Sequence, residues 1–136
     1  MKLVFVRFCY WLGAVLDFFN VLMYLFPSTL FRRLGIRLEV TPAVGYLLIH
    51  AAALMLAWTL LLIWGLLRPI ERRGVLLLTV PICIGMGVSA LYLIAAKALE
   101  LEKGLPLLML PLVLSVLFLG AWASAGKIAR AGAKAE

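Results

Sequence analysis

Apolar residues run along this chain in four long blocks, and polar residues fall almost entirely between them. The first block lies between Arg7 and Arg32 and is broken by one charge, Asp17. The second runs from Ala43 to Leu67, the third from Gly74 to Ala96, and the fourth from Gly104 to Gly126. Each holds about 23 to 25 residues, and an α-helix needs about 20 to cross the hydrocarbon of a bilayer. The pattern predicts an all-α, polytopic membrane protein. It is a single domain over 1–136, a four-helix transmembrane bundle with short loops and spans at about 8–27, 43–67, 74–96 and 104–126.

The connections carry start and stop signals. Pro27-Ser28 ends the first span, and Ser28 can cap a short interfacial helix over about 29–34, closed by Gly35. Thr41-Pro42 supplies an N-cap and a proline at the first helical position for the second span. The connection from Arg68 to Arg73 is tight, which predicts that spans two and three are antiparallel neighbours. Pro106 falls at the start of the fourth span, where proline is harmless, and Pro111 falls inside it. The basic tail from Lys127 is expected to fray.

Composition agrees with the pattern. Hydrophobic residues make up 66% of the chain, against roughly 45–50% in soluble domains. The net charge of +7 reads as cations flanking the spans and meeting lipid head groups, which argues against nucleic acid as a partner. Membrane lipids are the expected partners, with a homo-oligomer or a larger membrane complex as further possibilities. With four spans, both termini share a side with the second connection. That side holds eight of the 13 Lys and Arg and the other side five, so the charge bias places both termini in the cytoplasm. The expected location is a cell membrane, multi-pass, with a bacterial inner membrane favoured by compactness. Asp17 interrupts what would be a signal-peptide core, so the first block is expected to remain as a span.

The candidate chemistry sits in span one. Tyr10, Gly13, Asp17, Asn20 and Tyr24 fall within an arc of about 80° at about 100° per residue. An ionised carboxylate near mid-span costs a few kcal/mol or more, so Asp17 should face the bundle interior or water. Two readings stand beside each other. In one, Asp17 is a ligand, cation or proton site, with Asn20, Tyr10 and Tyr24 orienting the ligand. In the other, the stripe is interhelical glue at roughly 0.6 kcal/mol per bond. His50, about 10–11 Å into span two, lies near the depth of Asp17, at about 15 Å. If spans one and two are neighbours, the similar depths allow an Asp17–His50 contact able to relay a proton.

Other candidates are weaker. Arg32, Arg33 and Arg37 are expected to contact lipid head groups. Gly85, Ser89, Tyr92 and Ala96 share a face that suits a packing seam. Cys9 and Cys83 read as small buried apolar residues, and nothing has the spacing of a metal site. One histidine cannot supply two-His haem ligation, and no cofactor is expected. No nucleophile–base arrangement, carboxylate dyad or phosphate-cradling loop appears, so an enzyme is not the leading expectation. The leading functional reading is non-enzymatic binding of a lipid-soluble ligand or a membrane partner, as an accessory subunit. The alternative is a small proton- or cation-coupled transporter with Asp17 as the coupling carboxylate.

Overall fold

The computed structural model describes residues 2–27 and 41–132. The interfacial helix expected over about 29–34, and with it Arg32, Arg33 and Arg37, lies outside the described residues. Among the described residues four helices form, all long and apolar enough to cross a membrane: α1 (Lys2–Leu25), α2 (Pro42–Leu67), α3 (Gly74–Ala95) and α4 (Leu101–Gly132). The protein is thus a multi-pass, all-α membrane bundle.

Local chemistry sets several ends. The Thr41 hydroxyl accepts the Val44 amide at 3.3 Å, and Pro42 opens α2. Lys97 turns the chain out of α3 with a φ of 55°, while the Ala98 amide donates to the Leu93 carbonyl at 3.0 Å. This is the left-handed termination that closes orphan helix carbonyls. Two ends differ from expectation. Helix α4 starts at Leu101 rather than Gly104, so Pro106 lies one turn inside it, and it continues through Lys127 to Gly132. Alanine-rich sequence with basic residues near a helix C-terminus favours that continuation.

The packing is uneven. The main contacts are α1 with α2 and α3 with α4, and the two pairs meet along α1 and α4. Helices α2 and α3 are joined by the tight loop yet barely touch beyond it. A short loop brings two helix ends together but does not oblige the shafts to pack. The gap between them is bridged by one long side chain, as the Trp58 indole donates to the Thr79 hydroxyl at 3.3 Å.

The core lies toward the loop end of the bundle. Val6, Tyr10, Leu62, Leu76, Phe118 and Ala121 are nearly or fully buried there. Two glycines permit the fit. A Cβ on Gly65 would collide with the Tyr10 ring, and a Cβ on Gly13 would sit 3.0 Å from Phe118 Cζ. The expected seam on α3 is not used. Gly85, Ser89, Tyr92 and Ala96 are exposed, and Val75, Leu76, Thr79, Cys83, Gly87 and Ala90 are buried instead. The Ser89 hydroxyl donates to the Gly85 carbonyl at 2.9 Å. With that hydroxyl satisfied inside its own helix, Ser89 adds no unpaired donor to a lipid-facing surface.

Candidate functional site

Below the packed end of the bundle, α1, α3 and α4 wall a cavity of about 370 Å³. Its walls are mainly Leu16, Met23, Ile82, Met86, Leu110 and Leu114, with Phe118 against Gly13 closing the inner end. Asp17 and Asn20 reach it from α1, and Thr79 and Cys83 from α3.

Asp17 is only 8% exposed. Its Oδ2 atom is buried and accepts no hydrogen bond among the described residues. A buried polar oxygen without a partner costs about 1–3 kcal/mol by protein mutational measures. Two hydroxyls nearby are engaged. Thr79 donates to the Val75 carbonyl at 2.8 Å and accepts from Trp58. Ser115, beneath the cavity wall, donates to the Pro111 carbonyl at 2.8 Å. Pro111 lacks an amide hydrogen, so the α4 backbone beside the cavity is short of one internal bond.

The polar stripe of α1 does face inward, but its members separate. Tyr10 is fully buried and its hydroxyl donates to the Arg72 carbonyl at 2.8 Å. It fastens the loop and does not line the cavity. Gly13 receives the Phe118 ring. Asp17 and Asn20 share the cavity, while Tyr24 is half-buried and outside its lining.

His50 is not brought to Asp17. It lies on the exposed face of α2 and packs against Tyr46, with ring centroids 4.5 Å apart and planes tilted by 42°. The depths match, since each residue stands eight positions from the neighbouring ends of α1 and α2. The azimuths do not, because α2 turns Ala52, Thr59, Leu62 and Gly65 toward the bundle. Cys83, read from sequence as a small buried apolar residue, is buried in the core cluster and also lines the cavity. The i, i+4, i+7 series Thr79, Cys83 and Met86 carried that face, hidden by the stronger small-residue pattern beside it.

No group of His, Cys, Asp and Glu able to hold a metal ion occurs among the described residues. The fold and the buried acid together define a small four-span membrane protein with an intramembrane cavity. Comparison with protein-family models, with curated proteins and with solved structures returns no match for this chain.

Proposed function

We propose that this protein binds a lipid-soluble ligand in the cavity between α1, α3 and α4, with Asp17 accepting a hydrogen-bond donor or positive charge on that ligand. The supporting observation is the Asp17 carboxylate, buried on an apolar cavity with no protein partner for Oδ2 among the described residues. Glue between helices would need a donor on a neighbouring helix within bonding distance. The volume falls near the low end of ligand sites, which run about 300–1,000 Å³. Apolar walls with few polar groups suit a molecule that partitions into lipid and carries one polar head.

The carrier reading uses the same carboxylate and needs water to reach it from both faces in turn. The dense packing of Tyr10, Gly13 and Phe118 between Asp17 and the loop end favours binding over transport.

The test is a thermal-shift series on the purified protein in uncharged detergent, with decylamine, decanol and decanoate as probes. The amine and the alcohol are expected to raise Tm and the acid to leave it unchanged. Asp17→Asn should keep the response to decanol and weaken that to decylamine, and Asp17→Leu should remove the preference for both. Equal shifts in wild type and Asp17→Leu would refute the reading. A proton-dependent flux in liposomes that vanishes in Asp17→Asn would put the carrier in its place.

A further inference from the structure

A second cleft lies at the opposite end of the bundle, outside the core and separate from the Asp17 cavity. It is formed where the start of α3 meets the extended C-terminal turns of α4. Arg73, Trp122, Gly126, Lys127 and Arg130 enclose about 190 Å³ there. The cleft exists because α4 continues helically past its apolar block. That continuation sets Lys127 and Arg130 one turn apart beside Arg73.

The charges in this cleft are uncompensated among the described residues. Arg73 Nη1 is buried and donates to no acceptor among the described residues. It lies 3.3 Å from where a Gly126 Cβ would stand, so the absence of a side chain at 126 lets the guanidinium lie against α4. The neighbouring arginines are occupied. Arg68 pairs with Glu71 at 3.2 Å, and Arg72 sits 3.7 Å over the Trp64 ring centroid. The other described carboxylates are elsewhere: Asp17 is on its cavity, and Glu100 and Glu102 are at the far end of α4. Three cations thus converge with no anion from the described residues, and one of them holds a buried donor.

An oxyanion with several acceptor oxygens completes this arrangement. Guanidinium groups match phosphate in a fork of two hydrogen bonds, and a lysine adds a point charge. Position narrows the source. The cleft is at the end of the spans, and Trp122 is 37% exposed there, at the level where indoles settle between hydrocarbon and head groups. We infer that Arg73, Lys127 and Arg130 form a binding site for the phosphate of an anionic lipid head group. The lipid tails would run down the α4 surface below Trp122.

Native mass spectrometry of the full chain, released from phosphatidylcholine nanodiscs doped with phosphatidylglycerol, tests the assignment. Wild type is expected to retain one phosphatidylglycerol in preference to phosphatidylcholine. Lys127→Gln with Arg130→Gln, both on the exposed surface, should cut retention by about tenfold, as should Arg73→Gln, the scale for losing charge-assisted contacts. Arg73→Lys should retain less than wild type because the fork is lost. Arg68→Gln removes a cation of the same loop that Glu71 already pairs and should change nothing. An equal loss in Arg68→Gln would overturn the site in favour of diffuse surface charge. Retention unchanged in both the Arg73 and the Lys127/Arg130 variants would overturn it outright. So would binding of sn-glycerol phosphate or inorganic phosphate with no preference for phosphatidylglycerol, which would assign the cleft to a soluble phosphate.

Discussion

The Tyr10 hydroxyl donates to the Arg72 carbonyl at 2.8 Å and so ties the first helix to the loop between the second and third. The bond joins residues 62 positions apart and closes the packed end of the bundle. Tyr10→Phe keeps the ring and removes the donor, and is expected to lower unfolding free energy by about 1 kcal/mol. Tyr10→Ala also opens a cavity and should cost about 3–5 kcal/mol. Denaturation in mixed micelles, followed by circular dichroism, ranks the two. Equal losses would mean that the bond and the ring do not contribute separately.

Glycines on α2 and α3 should respond with opposite sign. A Cβ at Gly65 would run into the Tyr10 ring, which its own hydrogen bond holds in place. Gly65→Ala is therefore expected to destabilise by about 1–3 kcal/mol. Gly85 has nothing within 4 Å of a built Cβ, so Gly85→Ala should gain about 0.5–1 kcal/mol from helix propensity alone. The same unfolding assay reads both, and a loss at Gly85 would indicate a partner on that face.

Asp17→Leu should stabilise the protein without ligand by about 1–3 kcal/mol, because it removes a buried acceptor that no donor satisfies. Stability and ligand response would then move in opposite directions in one variant. A lower Tm for Asp17→Leu would show instead that the carboxyl holds two helices together.

The four spans were legible because blocks of apolar residues longer than a membrane is thick have one economical solution. The inward direction of the α1 stripe was legible too, since Asp17 and Asn20 share an arc that lipid would penalise. The division of labour within the stripe was not, because Tyr10 meets Arg72 only after α2 and α3 have been placed. The facing of His50 was hidden for a related reason. Depth can be counted along a helix, but α2 is apolar all round and gives no sign of which side packs. Arg73 and Lys127 stand 54 positions apart, and nothing local in either segment announces their meeting.

At the other end, Lys103 bridges Glu100 at 2.7 Å and holds its carboxyl below the usual carboxylate range, first by hydrogen bonding and then by charge. A carboxyl depressed in the folded state contributes stability above its unfolded value, and loses that contribution as pH falls through the folded one. Both groups are well exposed, so the contribution is small and screened. Lys103→Ala should return the Glu100 titration, followed by carboxyl carbon NMR, to the ordinary range with no resolved change in Tm. A titration still depressed in that variant would point to a different cation.

Helix α4 fixes how the bundle suits a bilayer. Lys103 and Lys127 stand 24 positions apart, about 36 Å at 1.5 Å per residue, against a hydrocarbon thickness of about 30 Å. Held upright between two anchors, the helix is taller than the hydrocarbon, and leaning is one way to fit it. Because α3 packs along α4, the hairpin leans as a unit, while α1 is bound more firmly to α2. The angle between the two pairs, and with it the width of the gap that holds Asp17, is then expected to respond to acyl-chain length. Decylamine affinity measured in short-chain and long-chain bilayers should differ for that reason, and equal affinities would mean the gap is fixed by the protein alone.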